Sequence, residues 1–311
     1  MPLGLITGSS GFLGRPLLGL LLDRAAPGDL CAVGRKRLLP CPPDAFRRVD
    51  LEDYDDLTRV IAEVAPSTVF HLAGKTPPGE PWDYYRKNTL GTIHLLDALR
   101  TSGRPCRVVL VGSASELGPV PVQSLPVGED YPCHPAEAYG LSKWLATCAG
   151  LAACPPLEVI IARVFNPIGP GLPPSQALGR FAEELAGGSG PIRLSVGDIE
   201  ARRDFIDVRD VARALVALSR LGRPGRIYNV GTGHSRRVGD ALDRLIDLSG
   251  RDVQVEVDPA RIRSPGPADS RAGIVRITRE IGWSAEIPWE ESLRDLWVDA
   301  LARSRSGLTE P

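Results

Sequence analysis

Tyr139 and Lys143, in Tyr139-Gly140-Leu141-Ser142-Lys143, stand four residues apart and so share one face of any helix they occupy. On such a face the ammonium can favour the phenolate and draw the tyrosine pKa toward neutrality, as a proton transfer coupled to hydride transfer requires. The spacing alone is a common accident. It gains weight because it follows an apolar run, Cys106 to Val111, that ends in Gly112-Ser113-Ala114-Ser115-Glu116-Leu117-Gly118. Lys143 is also one of only four lysines, with Lys36, Lys75 and Lys87. Ser113 is then well placed for a ligand, which parallel α/β sheets bind beyond the carboxyl ends of their strands. Near the start of the chain, Ile6-Thr7-Gly8-Ser9-Ser10-Gly11-Phe12-Leu13-Gly14 has the form of a phosphate cradle. Glycines at 8, 11 and 14 allow a tight turn, close approach to a pyrophosphate and packing of helix on strand, with the helix N-terminus facing negative charge. Such a trio can also serve geometry alone, but here strand, turn and helix are all in place.

These residues need elements to position them. Leu3 to Ile6, Leu30 to Gly34, Phe46 to Val49, Thr68 to Leu72 and Cys106 to Val111 read as strands. Leu13, Leu17, Leu18, Leu21 and Leu22, then Leu57, Val60, Ile61 and Val64, then Trp82 to Arg100, read as the helices between them, with Pro16 tolerated in a first turn. The alternation predicts an α/β fold with a doubly wound parallel sheet, which binds ligands beyond the carboxyl ends of its strands. Val159 to Val164 adds a sixth strand and Ile227 to Val230 a late one, while a helix from Trp289 through Trp297 closes a smaller lobe. Residues 1–165, with part of 201–230 returning, form the first lobe; residues 166–311 supply most of the second. His71 reads as a packed strand-end histidine. The second strand ends in Gly34-Arg35-Lys36-Arg37, where a fold specific for NAD usually places Asp or Glu on the ribose 2′-hydroxyl. That basic end favours NADP(H), with NAD as the alternative if the turn is merely a solvated surface.

A formal net charge of −1, with no basic run beyond residues 35–37, gives no electrostatic footprint for nucleic acid or a membrane surface. No apolar stretch reaches the roughly 20 residues that span a bilayer, so the cytoplasm is the expected location. The cysteines at 31, 41, 106, 133, 148 and 154 form no Cys-x-x-Cys pair and do not cluster with the histidines, which disfavours a metal site.

Thr-Gly-x-x-Gly-x-x-Gly at 7–14, His71-Leu72-Ala73-Gly74, Asn88, Ser113 and Tyr139-x-x-x-Lys143 together resemble the extended short-chain dehydrogenase/reductases acting on nucleotide sugars, the NAD-dependent epimerase/dehydratase family. The resemblance spans nearly the whole chain and implies a Rossmann-type fold with a smaller C-terminal substrate-binding lobe. It implies that Ser113 steadies the reacting oxygen, Tyr139 is the acid or base, and Lys143 holds the nicotinamide ribose and tunes the tyrosine. Gly8, Ser10, Gly11, Phe12, Leu13, Gly14, Arg35, Asp50, Leu51, Leu72, Ala73, Gly74, Asn88 and Phe165 are the further cofactor positions it implies, Asn88 supporting the lysine through water. Lys75, Ser115, Glu116 and Asn166 would meet substrate with Ser113. In Arg202-Arg203-Asp204-Phe205-Ile206-Asp207-Val208-Arg209-Asp210-Val211, Arg203 would meet the diphosphate through forked, charge-assisted hydrogen bonds, and Arg263 is a weaker candidate.

Arg203 to Val211 and the ending Gly282 to Leu296 resemble most the reductases of GDP-4-keto-6-deoxymannose. This implies hydride delivery from NADPH to the C4 carbonyl of a nucleotide-linked 4-keto-6-deoxy sugar, with Tyr139 protonating the oxygen. With Gly118 as anchor, Ala114-Ser115 stand where dehydratases and decarboxylases carry acidic help, although Ser115-Glu116-Leu117 also resembles a dehydratase string. The alternative within the fold is an NAD-dependent nucleotide-sugar 4-epimerase; a non-catalytic dinucleotide sensor is the alternative outside catalysis. Family members usually dimerise through two long helices, here Trp82 to Arg100 and Ala136 to Ala152, as a four-helix bundle.

Overall fold

A short, fully buried strand, β1 (Gly4–Thr7), starts the sheet at its centre. β2 (Leu30–Gly34) and β3 (Phe46–Arg48) extend it to one side; β4 (Thr68–His71), β5 (Arg107–Ser113), β6 (Glu158–Val164) and the edge strand Arg226–Val230 extend it to the other. All seven strands are parallel. The direction of winding reverses between β1 and β4, where Thr7 pairs with His71, so the crevice beyond these two strands is the natural ligand site. The computed structural model describes residues 4–24, 26, 28–37, 41–262 and 268–306.

The strands are nearly continuous in apolar residues because helices cover both faces. On one face α1 (Gly14–Leu22) packs with the helices Val208–Leu221 and Val275–Ile281, burying Leu17, Leu18, Val211, Leu215 and Ile277 against Ile6, Val109 and Ile160. On the other face α2 (Tyr54–Val64) and the helices Gly91–Thr101 and Ala138–Ala152 cover Leu5, Val69, Val108 and Ile161. α2 begins where the Asp53 carboxylate accepts from the Asp56 amide and ends at Ala65, in the left-handed region. The helix expected from Trp82 to Arg100 is composite: Pro81–Tyr84 leads into a wide π-turn, Tyr85–Leu90, and then into Gly91–Thr101. The wide turn carries Asn88, and such widenings are frequent at functional sites.

A separate core lies under the helices Ala177–Ala186, Val238–Ser249 and Trp289–Ser306, against the parallel pair Ile192–Val196 and Val253–Val257. It is joined to the rest through three buried aspartates three residues apart. Asp204 accepts from the Thr232 amide and hydroxyl (2.8 and 2.6 Å) and from the Gly233 and Ala272 amides (3.0 Å each). Asp207 accepts from the Ser292 hydroxyl at 2.7 Å, and Asp210 from the Glu286 and Ile287 amides at 3.0 Å. Among the described residues, no helix is long and apolar enough to cross a membrane.

Candidate active site

The glycine turn closes on itself: Gly11 N donates to Gly8 O at 3.0 Å, and Gly14 N and Arg15 N donate to Gly11 O at 3.1 and 3.0 Å. Gly8 has φ +72°, and a Cβ there would stand 2.6 Å from the Ala73 amide nitrogen on the neighbouring strand end. A Cβ at Gly14 would run into the Gly8 carbonyl and into Ser9. α1 starts with no side-chain cap and no acid in its first turn, which leaves the positive end of its dipole open to an anion. A cradle that side chains would fill fits a dinucleotide pyrophosphate. Ser10 is exposed on it; Phe12 leans on the second-lobe core and Leu13 on the first.

At the end of β2, Arg35, Lys36 and Arg37 are exposed, with exposed Arg48 paired beside Gly34. No carboxylate occupies residues 34–37, so the ring of positive charge suits a 2′-phosphate. Asp50 is exposed and Leu51 half-buried beyond β3. His71 is 2 % exposed, its Nδ1 2.7 Å from Thr7 Oγ1 and its Nε2 2.9 Å from Thr92 Oγ1. Burial, then the Lys143 charge, pushes its pKa down to about 3, so it is neutral and structural. Leu72 and Ala73 are half-buried and Gly74 is exposed along the cradle's far wall.

Asn88 departs from its expected place at the cofactor. It is 1 % exposed, and its amide is spent on accepting from the Lys75 amide (2.6 Å) and donating to the Lys75 carbonyl (3.1 Å) and Ser142 Oγ (2.9 Å). It therefore fixes the loop after β4 against the helix that carries Lys143. Phe165 departs likewise: its ring is 2 % exposed and packs with Leu117, Val127 and Ala272.

Ser113 ends β5, Tyr139 lies in the first turn of Ala138–Ala152, and Lys143 lies one turn on. The Ser113 side chain lies close enough to the Tyr139 phenol to lower its pKa. Burial raises the Tyr139 pKa, Ser113 opposes it, and Glu116 and Tyr84 add to it. Tyr84 meets Tyr139 edge to face, with centroids 5.7 Å apart. Lys143 Nζ donates to the Val111 carbonyl at 2.6 Å, and burial lowers its pKa against the pull of Glu116. The expected lowering of Tyr139 by Lys143 is thus not the governing effect: desolvation keeps the phenol protonated. A protonated phenol beside a serine hydroxyl can donate to a developing alkoxide.

Asn166, Arg203 and Lys75 are half-buried and Ser115 is exposed. Asn166 donates through N and Nδ2 to the Asp204 carbonyl, at 3.1 and 3.4 Å, and Arg203 Nη1 donates to the Arg202 carbonyl at 2.8 Å. Arg263 lies outside the described residues. Glu116 is the clearest correction: expected to meet substrate, it is fully buried and bound to Arg163, Thr147 and the Ser113 amide. Sequence reasoning also passed over Arg163, whose charge inside Val-Ile-Ile-Ala-Arg-Val was the available signal of a buried partner. Tyr84 left no such signal. Among the described residues, no group of three or more His, Cys, Asp or Glu side chains could hold a metal ion.

The model of the NAD dependent epimerase/dehydratase family matches residues 4–231. The chain is 33 % identical to the GDP-6-deoxy-D-mannose reductase of Pseudomonas aeruginosa, over 96 % of this chain and 97 % of that protein. It is 28 % identical to UDP-glucose 4-epimerase 2 of Oryza sativa subsp. japonica, over 94 % and 80 %. The solved structure of RMD from Pseudomonas aeruginosa complexed with NADPH superposes with a TM-score of 0.84 at 31 % identity, covering 97 % of this chain and 100 % of that one.

Proposed function

Because the chain belongs to the NAD-dependent epimerase/dehydratase family, whose members are NAD(P)-dependent, we propose that it is an NADPH-dependent reductase of a nucleotide-linked 4-keto-6-deoxy sugar. The bound nicotinamide supplies the hydride. Ser113 hydrogen-bonds the C4 oxygen as charge develops on it, and Tyr139 gives that oxygen its proton. Lys143 holds the nicotinamide ribose, and Arg203 holds the diphosphate. The observation that carries the reading is the gathering of Ser113, at the end of β5, with Tyr139 and Lys143, one turn apart on the helix Ala138–Ala152, around a phenol that holds its proton at neutral pH, as a proton donor must. The likeness to the Pseudomonas reductase supports the same direction of reaction. Burial of Glu116 speaks against β-elimination, since that carboxyl is not free to expel a C6 hydroxyl.

Exposed Arg35, Lys36 and Arg48 at the ends of β2 and β3 support the preference for NADPH. The epimerase relatives support a second reading, an NAD-dependent nucleotide-sugar 4-epimerase. Releasing the copurified cofactor and titrating the stripped protein with NADPH and NADH separates the two. Exchangeable binding that favours NADPH at least about tenfold fits a reductase; stoichiometric NAD that resists dialysis fits the epimerase. A homodimer is also proposed: Trp82, Leu90 and Ile93 on one helix, with Leu141 and Leu145 on its neighbour, leave apolar side chains exposed for a four-helix bundle. A monomeric mass in solution would remove that proposal, as a membrane-fraction location would remove the expected cytoplasmic one.

A further inference from the structure

We propose that Glu116 is a positioning residue for Ser113: paired with Arg163 beneath the end of β5, its carboxylate fixes the serine backbone and ties it to the helix that carries Tyr139 and Lys143. The inference rests on the roles given above to Ser113 and Tyr139.

Glu116 Oε1 accepts from the Ser113 amide at 2.7 Å and from Thr147 Oγ1 at 3.1 Å, while Oε2 accepts from Arg163 Nε at 3.2 Å. The Ser113 hydroxyl in turn accepts from the Ser115 amide at 3.2 Å, which completes a reciprocal capping box on the turn after β5. Thr147 stands four residues beyond Lys143 and eight beyond Tyr139, so Glu116 grips the helix on the stripe that bears both. Arg163 lies directly opposite Gly112 in the β5–β6 register, and its other nitrogens reach the Glu129 carbonyl (3.4 Å) and Cys133 Sγ (3.3 Å). Gly112 leaves the room the carboxylate needs, since a Cβ there would come 2.5 Å from Glu116 Oε1.

Both side chains are 0 % exposed. A buried pair of this kind adds little stability over an apolar pair of equal volume, because desolvating both charges offsets their attraction. What the carboxylate provides instead is a fixed acceptor for an otherwise orphaned Ser113 amide, in a place where small displacements of a reacting group are costly. Its charge faces Arg163 from β6; Lys143, Tyr139 and Cys148 from the helix; and Cys133 from the preceding loop. There it favours the protonated forms of both Lys143 and Tyr139.

Two variants test this. Glu116→Gln keeps an oxygen for the Ser113 amide and removes the charge. Its kcat is expected to fall about tenfold with KM changed less than threefold, and the alkaline limb of its kcat profile to move to lower pH, because the charge opposing the phenolate is gone. Glu116→Leu combined with Arg163→Met is expected to stay folded and unfold in urea only somewhat earlier than wild type, because the Ser113 amide has lost its acceptor, yet to lose about a hundredfold in kcat. In that double variant the Ser113 amide should also lose its hydrogen-exchange protection. Wild-type kcat and pH profile in the double variant, or an unchanged Ser113 amide, would overturn the proposal. The amide readout needs no turnover. If the wild-type protein fails to oxidise NADPH with any nucleotide 4-ketosugar, the proposed function falls while the amide still decides whether Glu116 holds Ser113.

Discussion

The glycine cradle and the aspartate tethers at the second core are built in opposite ways. In the cofactor half, nine consecutive residues, Ile6 to Gly14, make the cradle, and its closing bonds join Gly8, Gly11, Gly14 and Arg15 within a few residues of one another. Where the second core meets the rest, the Asp204 carboxylate reaches 28, 29 and 68 residues along the chain, Asp207 reaches 85, and Asp210 reaches 76 and 77. The cradle is therefore a local object carried by a stiff sheet, whereas the surroundings of Arg203 exist only when distant segments have docked. A single lost tether should damage the second lobe far more than a single lost surface contact damages the first.

Asp204→Ala gives the sharpest break. It removes the acceptor of three amides, the Ala272 one buried and the Thr232 and Gly233 ones half-buried, and the expected loss is about 3 kcal/mol of stability in urea unfolding. NADPH affinity should change much less than substrate affinity, and equal losses of both would mean that the lobes are not separately built. In the cofactor half, the buried His71 predicts a pH effect of known sign. Its folded pKa, about 3, lies below its ordinary 6.5, so the unfolded chain takes up a proton that the folded protein refuses. Stability is complete above pH 6.5 and falls as the pH drops toward 3, by about 1.4 kcal/mol per unit from this one group. In His71→Gln that slope should shrink by one proton in denaturation curves from pH 7 to 4; an unchanged slope would place the acid sensitivity elsewhere. The smallest expected effect is at the rim. Arg35→Ser should weaken NADPH by about tenfold, the worth of one charge-assisted bond, and leave NADH unchanged in a fluorescence titration.

The same contrast explains what was legible in the sequence. The strands, the cradle and the Tyr139–Lys143 stripe could be read because each is written in neighbouring residues, through apolar runs, glycine spacing and a helical interval. Glu116 could not be placed, because whether it faces substrate or core depends on Arg163, 47 residues away. Asn88 was read as a cofactor position, but its partners, Lys75 and Ser142, lie 13 and 54 residues away on other elements. The aspartates at 204, 207 and 210 carried no assignment for the same reason: apart from the Arg209 amide that Asp207 caps, the amides and hydroxyls they bind lie far along the chain. Tyr139 was read correctly as to its helix, but the upward direction of its pKa comes from burial, which no spacing reveals.

The central claim is that Tyr139 is the proton donor of a hydride-linked reduction, and the most direct measurement is the oxidation of NADPH, followed by absorbance, with GDP-4-keto-6-deoxymannose for wild type and Tyr139→Phe. The wild type should turn over, and the variant should lose about a thousandfold in kcat while keeping NADPH affinity within about threefold of wild type. A variant that turns over as fast as the wild type would contradict the claim.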